Sequence, residues 1–270
     1  MRILFIGDIV GRAGRDLVKK GLKGLVAEHD IDLVIANAEN SAAGFGITRE
    51  IGQELLGAGV DVMTSGNHIW DKKEALDYIA SEPRLLRPGN YPAGAPGHGS
   101  VVARTRMGTA VGVVNLMGRV HMHPLDDPFA LALKEVESLR TRARVIFVDF
   151  HAEATSEKMA MGWHLDGRVT AVAGTHTHVQ TADERLLPKG TAYITDAGMT
   201  GAHDAIIGMD ADASLVRFLT GMPSRFEPAT GNPRLNGVVV DADDETGRAR
   251  SITRISQTLA ELTDLTARHA

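Results

Sequence analysis

The chain has 270 residues, of which 43% are hydrophobic and 23% charged, a composition typical of a soluble globular protein with one substantial core. Its formal net charge of −5 argues against stable binding of a nucleic-acid polymer, because such proteins usually carry a basic surface. The lack of cysteine excludes disulfides and thiolate ligands, so any metal must be held by His, Asp, Glu, Asn or water. No segment is long and apolar enough for a signal peptide or a membrane span. We therefore expect a cytoplasmic protein with a single domain, residues 1–270.

Short β-rich runs alternate with helical patterns along the chain, which predicts an α/β fold with helices on the faces of a sheet. In the helical runs, apolar residues recur at the three- and four-residue spacing of a buried helix face. In chain order, the first half predicts the strand RILFI (2–6), a helix in GRDLVKKGLKGLVAEH (14–29), the strand DLVIA (32–36), a helix capped by Thr48, the strand VDVMT (60–64) and a helix containing Leu76 and Ile79.

The second half adds two hairpins. It predicts a hairpin in 99–118 around Met107-Gly108, the helix DPFALALKEVESLRTR (127–142), the strands ARVIFVDFH (143–151) and VTAVA (169–173), the run TAYITDAGM (191–199), and a hairpin in 236–256 followed by a short amphipathic helix. Because parallel βαβ units supply one sheet, we expect the antiparallel strands to contribute a second sheet packed on the first. The expected architecture is a four-layer α/β/β/α sandwich, in which two mixed sheets pack face to face with helices outside.

Polar side chains follow five of the predicted strands at the point where each strand ends. In open α/β sheets, ligands bind outside the carboxyl ends of the strands, so we expect these side chains to meet in one crevice. Each of them alone is more typical of a turn, a cap or a hydrogen-bonded histidine. The residues are Asp8, Glu39 with Asn40, Asn67 with His68, His151, and His176 with His178.

Oxygen and imidazole donors without sulfur suit manganese, iron or zinc. His176 and His178 are two residues apart in a segment that we expect to be extended, which puts both rings on the same side of the chain, with about 6–7 Å between their Cα atoms. They can therefore reach two metal ions or hold one. A bridging carboxylate would complete a two-metal site. Two divalent ions bring four positive charges, of which Asp8, Glu39 and a bridging hydroxide neutralise three. The remaining positive charge suits a phosphodiester monoanion.

The motifs GDIVG, AEN, SGNH, DFH and GTHTH occur in the order and approximate spacing of the calcineurin-like metallophosphoesterases. The chain most closely resembles the YmdB-type bacterial phosphodiesterases, over nearly its whole length, and this resemblance also supports the four-layer stacking. Two motifs depart from the superfamily pattern. Val10 stands where the histidine of D-x-H is usual, and AEN replaces the usual aspartate motif.

The resemblance implies a ligand set for each of two metal ions, with iron the expected metal and manganese or zinc as alternatives. Glu39 is expected to bridge the ions, and Asn40 to replace the missing imidazole of the first motif. His68 is expected to be the proton donor rather than a ligand. The first ion would be held by Asp8, Glu39, Asn40 and His178, and the second by Glu39, Asn67, His151 and His176.

The expected function is hydrolysis of small phosphodiesters, with 2′,3′-cyclic nucleotides as the substrates that the resemblance implies. A hydroxide that bridges the metals would attack phosphorus in line, while His68 protonates the departing ribose oxygen. We expect no membrane partner, and a homo-oligomer is compatible with the sequence.

Several alternatives compete with this interpretation. A phosphomonoesterase, or a regulatory protein that binds metal and phosphate with little turnover, would use the same ligands. A dinucleotide-binding loop is disfavoured because the glycines of GDIVGRAG do not fit G-x-G-x-x-G, and a nucleotide-binding P-loop because no lysine follows in the required position. An H-x-H pair also opens amidohydrolase barrels, but there it follows the first strand, whereas here it lies beyond the middle of the chain. The pair His121 and His123 stands in a loop before Pro124 and is interpreted as a surface or crevice-rim feature. Asp149, Asp196 and His203 could support the ligands or line the rim of the crevice, and no definite role is assigned to them.

Overall fold

A computed structural model describes residues 1–269; the predicted domain extends to residue 270, which lies outside the described residues. The strands are β1 (Arg2–Ile6), β2 (Asp8–Ile9), β3 (Leu33–Asn37), β4 (Val62–Thr64), β5 (Ser100–Arg104), β6 (Ala110–Met117), β7 (Val145–His151), β8 (Ala171–Thr175), β9 (Arg185–Leu186), β10 (Ala192–Ile194), β11 (Met199–Ala202), β12 (Pro233–Ala242) and β13 (Ala249–Thr258). The helices are α1 (Gly11–Glu28), α2 (Arg49–Ala58), α3 (Ala75–Ser81), α4 (Pro128–Arg140), α5 (Thr155–Leu165), α6 (Ala211–Thr220) and α7 (Leu259–Arg268).

The strands form two mixed sheets, as predicted. The first runs in the order β2-β11-β12-β1-β3-β4, with β13 paired to β12, and the second in the order β5-β6-β7-β8-β10-β9. In the first sheet β1, β3 and β4 are parallel neighbours, and in the second β6, β7, β8 and β10 are parallel. The expectation that antiparallel strands build the second sheet is wrong, because each sheet contains parallel strands and one of the two hairpins.

Alternation along the strands explains the layers. In β1, Ile3 and Phe5 point to the space between the sheets, whereas Leu4 and Ile6 face the helices, as the two-residue period of a strand requires. The rings of Phe5 and Phe147 meet between the sheets, with centroids 4.9 Å apart. Helices α1, α2 and α7 cover the outer face of the first sheet, and α4 and α5 cover that of the second. The four-layer sandwich is confirmed.

Helix ends follow from local sequence. Thr48 caps α2 through its hydroxyl, which accepts the N–H of Ile51, as predicted. The predicted amphipathic helix at the end of the chain is α7, which begins with a capping box formed by Thr258 and Glu261 and packs on α1. Within residues 1–269, none of the helices has the length and the apolar character that crossing a membrane requires.

Candidate metal centre

Both sheets deliver polar side chains to the same edge. Asp8 lies in β2, Glu39 and Asn40 follow β3, and Asn67 and His68 follow β4, all in the first sheet. His151 is the last residue of β7, and His176 and His178 follow β8, in the second sheet. The carboxyl ends of the parallel strands meet, because His151 of the second sheet lies 3.0 Å from both Glu39 and Asn67 of the first. The eight side chains that the sequence singled out are thus in one place.

One group of donors converges on His151. Its Nε2 atom lies 3.0 Å from Oε1 of Glu39, 3.0 Å from Oδ1 of Asn67 and 3.1 Å from Nδ1 of His176. Glu39 and His151 are fully buried. Ligand atoms of Glu39, His151 and His176 all lie within 4.8 Å of one another, a spacing that one metal ion can satisfy.

A second group contains Asp8, Asn40 and His178. Nε2 of His178 lies 3.2 Å from the side-chain nitrogen of Asn40 and 4.0 Å from Oδ1 of Asp8. The Asn40 amide also lies 3.4 Å from Oε1 of Glu39. Glu39 therefore adjoins both groups of donors, the position that a shared carboxylate needs.

The buried oxygens in this second group fit a cation. Oδ1 of Asp8 and Oδ1 of Asn40 are buried, and neither has a hydrogen-bond partner among the described residues. An unpaired buried oxygen costs free energy unless it is compensated. Two donors on one ion, each bonded at about 2.0–2.2 Å, lie at most about 4.4 Å apart. The 4.0 Å between Asp8 Oδ1 and His178 Nε2 is within that limit.

The extended geometry predicted for His176 and His178 is wrong. Both residues have left-handed backbone conformations, with φ of 101° and 66°. The N–H of His176 donates to Oδ2 of Asp8 (3.1 Å), and the N–H and hydroxyl of Thr177 donate to Oδ2 of Asp196. These two carboxylates hold the segment in a turn. The turn directs the His176 ring to one group of donors and the His178 ring to the other.

A buried ion pair supports this turn. Nζ of Lys158 lies 2.6 Å from Oδ2 of Asp196, and both side chains are almost completely buried. Asp196, to which the sequence assigned no definite role, thus links the histidine turn to Lys158. Lys158 lies on the buried face of α5, where a charge could not be predicted from an apolar pattern.

Replacing Lys158 by methionine is expected to reduce the free energy of unfolding by about 3–5 kcal/mol, because the buried charge of Asp196 would lose its cationic partner. Urea unfolding of the metal-stripped protein measures the change. The matched control is Lys19→Met, which breaks a partly exposed pair with Glu54 and is expected to cost at most about 1 kcal/mol. Equal effects of the two substitutions would contradict the supporting role of the buried pair.

A chain of hydroxyl contacts orients His151. Its Nδ1–H donates to the hydroxyl of Thr175 (2.9 Å), which donates to Oδ1 of Asp149 (2.7 Å). Asp149 also accepts hydrogen bonds from Thr64 and Asn37. Burial raises the pKa of Asp149 to about 7. With Nδ1 occupied, Nε2 is the atom that His151 presents to the centre. Asp149 lies two residues before His151 on the same strand face, a spacing that could have identified it.

Burial and charge set the ionisation of the donors. Burial alone would raise the pKa of Glu39, but the neighbouring His151 and His68 lower it to about 2. Burial, reinforced by His151, lowers the pKa of His176 to about 3. Burial raises the pKa of Asp8. Glu39 is thus a carboxylate and His176 a neutral imidazole, the forms in which these groups bind a metal.

His68 stands at the side of the centre. Its backbone N–H donates to Oε2 of Glu39 (2.9 Å), and its Nδ1 lies 2.8 Å from Oδ2 of Asp71. Glycine is required at position 66, two residues before His68, because a Cβ atom there would collide with the ring of His151. The SGNH motif therefore combines a close approach to one ring with the placement of another.

A cavity of about 460 Å³ opens beside the donors, and His68, His176 and His178 are among the side chains that line it. The three histidines to which the sequence assigned no definite role, His121, His123 and His203, do not line this cavity. His121 and His123 are exposed, and His203 is bonded to Asn236 and to the carbonyl of Gly201.

Two mixed sheets that present carboxylate, amide and imidazole donors at their common edge place the chain among the metallophosphoesterases, the class that its motifs indicated. More specifically, the chain belongs to the YmdB-like protein family, whose sequence profile matches residues 4–255.

Relatives with names and structures agree with this assignment. A protein of Bacillus subtilis named 2′,3′-cyclic-nucleotide 2′-phosphodiesterase is 52% identical over 255 residues, which cover 94% of this chain and 96% of that protein. The crystal structure of a hypothetical protein from Thermus thermophilus has a TM-score of 0.88 at 44% identity and covers 96% of this chain and 99% of its own. A phosphatase structure from Mycoplasma pneumoniae has a TM-score of 0.89 at 36% identity, with 96% and 93% covered.

Proposed function

We propose that the protein is a two-metal phosphodiesterase that hydrolyses small phosphodiesters, with 2′,3′-cyclic nucleotides as its substrate class. The observation that carries this proposal is the buried set of carboxylate, amide and imidazole donors with two unpaired oxygens, on Asp8 and Asn40. The name and the 52% identity of the Bacillus subtilis relative support the choice of substrate.

The distances support the division of ligands that the family resemblance implied. Asp8, Asn40 and His178 would hold one ion, and Asn67, His151 and His176 the other, with Glu39 shared. Glu39 supports the sharing role because its Oε1 lies 3.0 Å from His151 Nε2 and 3.4 Å from the Asn40 amide. Iron is the proposed metal, and manganese or zinc would accept the same donors.

The chain's own residues provide the remaining chemistry. When bound, the metal ions supply Lewis-acid activation of water and neutralise charge on the phosphoryl oxygens. His68 donates a proton to the leaving ribose oxygen. Asp71 accepts the Nδ1–H of His68, so Nε2 is the atom that can carry the transferable proton. Glu39 accepts the backbone N–H of His68, which ties the proton donor to the shared ligand.

Steady-state hydrolysis tests the function and separates it from its alternatives. The purified protein, supplied with Fe²⁺ or Mn²⁺, is expected to hydrolyse 2′,3′-cyclic adenosine monophosphate and bis-p-nitrophenyl phosphate faster than it hydrolyses p-nitrophenyl phosphate. A preference for the monoester would favour a phosphomonoesterase. No turnover above that of the chelated protein would favour a metal- and phosphate-binding regulatory protein. Elemental analysis giving close to two metals per chain would support the dinuclear centre.

Metal affinity is expected to depend on pH. Burial alone would lower the pKa of His151, but the carboxylates of Glu39, Asp8 and Asp149 raise it to about 9, so the metal-free protein keeps a proton there. A metal must displace that proton. Below about pH 9 the apparent affinity therefore rises with pH, by about tenfold per unit for one proton, and it levels off above that value.

Calorimetric titration of the metal-stripped protein with Mn²⁺ measures this dependence between about pH 6 and 8. Repeating the titration in buffers of different ionisation enthalpy counts the protons released. An affinity that does not change with pH, together with no proton release, would contradict the displacement of a proton from His151.

A further inference from the structure

The cavity beside the metal donors has a second, apolar half. Glu39, Asn40 and the histidines line one side. The far side, which we call the apolar wall, is formed by Phe45, Met209, Phe218 and Phe226, with Arg217 among them. Its volume of about 460 Å³ is in the range of pockets that hold small molecules, about 300–1,000 Å³. The metal donors and His68 use only part of this space.

The apolar wall is tied to the metal centre. Nδ1–H of His178 donates to the carbonyl oxygen of Ile207 (2.8 Å), next to the segment that carries Met209. Backbone hydrogen bonds from Asp210 to Glu227 (2.8 Å) and from Ala229 to Gly208 (2.9 Å) join this segment to the stretch that carries Phe226. These hydrogen bonds therefore fix the position of the apolar wall relative to the metal donors.

The wall has a buried support beneath its aromatic rings. Met209 packs with Val10 and Met199 in a small buried cluster, and Phe45 and Phe226 lie against that cluster. Both rings are half-buried, so each keeps part of its surface available to a ligand. A flat ligand can therefore contact them without displacing core residues.

Two contacts define where a ligand would lie. The Phe45 ring packs edge-on against the His68 ring, with centroids 5.0 Å apart, so the wall begins next to the proposed proton donor. The guanidinium of Arg217 lies 5.5 Å from the centroid of Phe226. A planar cation over an aromatic ring offers both a stacking surface and hydrogen-bond donors.

On the basis of the proposed phosphodiesterase function, we propose that this apolar wall binds the nucleobase of the substrate, with Phe226, Phe45 and Arg217 as its specificity-determining residues. The leaving oxygen, which receives its proton from His68, belongs to the ribose. The nucleoside must therefore extend from His68 away from the metal donors, and the wall is the surface that adjoins His68 on that side of the cavity. Bases stack on aromatic side chains through their π-faces, whatever their sequence identity.

The test compares a nucleotide with an analogue that lacks the base. Wild-type protein is expected to hydrolyse 2′,3′-cyclic adenosine monophosphate with a kcat/KM about 10- to 100-fold above that of methyl riboside 2′,3′-cyclic phosphate, the range expected from base stacking. In Phe226→Ala this ratio is expected to fall towards one. In Arg217→Ala, which changes an exposed side chain and leaves the core intact, it is expected to fall by about two- to fivefold.

Leu219→Ala is the matched control, because Leu219 is on the same helix as Arg217, is exposed and does not line the cavity. It is expected to keep the wild-type ratio. A wild-type ratio near one, or a ratio that Phe226→Ala and Arg217→Ala leave unchanged, would overturn the base-binding wall.

A binding measurement tests the wall without turnover. Adenosine 3′-monophosphate is expected to bind wild-type protein about 10- to 100-fold more tightly than methyl riboside 3′-phosphate, and Phe226→Ala is expected to remove that difference. Equal affinities in the wild type would overturn the inference. If neither cyclic diester is hydrolysed above the chelated control, the phosphodiesterase function fails, and the binding difference still decides whether the wall holds a base.

Discussion

Substitution of Glu39 by glutamine is expected to empty both of the proposed metal sites and to abolish diester hydrolysis. Glu39 is fully buried and adjoins both groups of donors, through His151 at 3.0 Å and Asn40 at 3.4 Å. Glutamine has nearly the same shape, but it carries no charge and offers one oxygen instead of two. Changes to groups that merely support metal ligands already cost about 10- to 100-fold in affinity or activity. The loss at a shared ligand is therefore expected to exceed about 100-fold.

Elemental analysis and steady-state kinetics on the same preparation measure the effect. The matched control is Glu157→Gln, which changes another buried glutamate whose carboxylate accepts the backbone N–H groups of Arg119 and Val120. This control is expected to keep both metals even if it unfolds more easily. A Glu39→Gln protein with close to two metals and normal turnover would refute the sharing of this carboxylate.

Replacing His68 by alanine is expected to lower kcat for 2′,3′-cyclic nucleotides by about 10²- to 10⁴-fold, the usual contribution of a general acid. The metals are expected to stay, because the His68 contact with Glu39 is made by its backbone N–H, which alanine keeps. The effect should be smaller for bis-p-nitrophenyl phosphate, because p-nitrophenolate leaves without needing a proton. Added imidazole should restore part of the lost activity.

The control for this change is His121→Ala, which removes an exposed histidine that does not line the cavity. Its kinetics should match the wild type with both substrates. If the metal content of His68→Ala fell in step with its activity, or if both substrates were slowed equally, the proton-donor role would be wrong.

The positions of the candidate site residues could be predicted from the sequence because of where they stand along the chain. Each stands at or just after the end of an apolar run that forms a strand, and parallel strands direct their carboxyl ends to one edge. Asp8, Glu39, Asn67 and His151 needed no further information. The conformation of the His176 turn did, because it depends on two carboxylates, Asp8 and Asp196, that are far away in sequence.

The sequence does not predict helices α5 and α6, because their burial also depends on the tertiary structure. Helix α5 buries Glu157 and Lys158 as well as Met161 and Leu165, so polar residues interrupt its apolar stripe. Helix α6 buries only Ser214 and leaves much of its apolar surface, including Phe218, exposed. A periodicity argument assumes that apolar residues mark the buried face, and neither helix satisfies that assumption. The short strands β2, β9 and β11 were also missed, because their pairing is decided by distant partners.

By itself, the sequence determined the α/β class, the order of the major strands and helices, and the polar residues that stand at the strand ends. These features depend on local periodicity and on residue type, which are present in the chain before it folds. Only the tertiary structure decided which sheet received each hairpin, how the histidine turn is held, and that Asp149 and the Lys158–Asp196 pair support the centre. Those features depend on contacts between segments distant in sequence and on burial, which changes the energy of a charge and which no local pattern encodes.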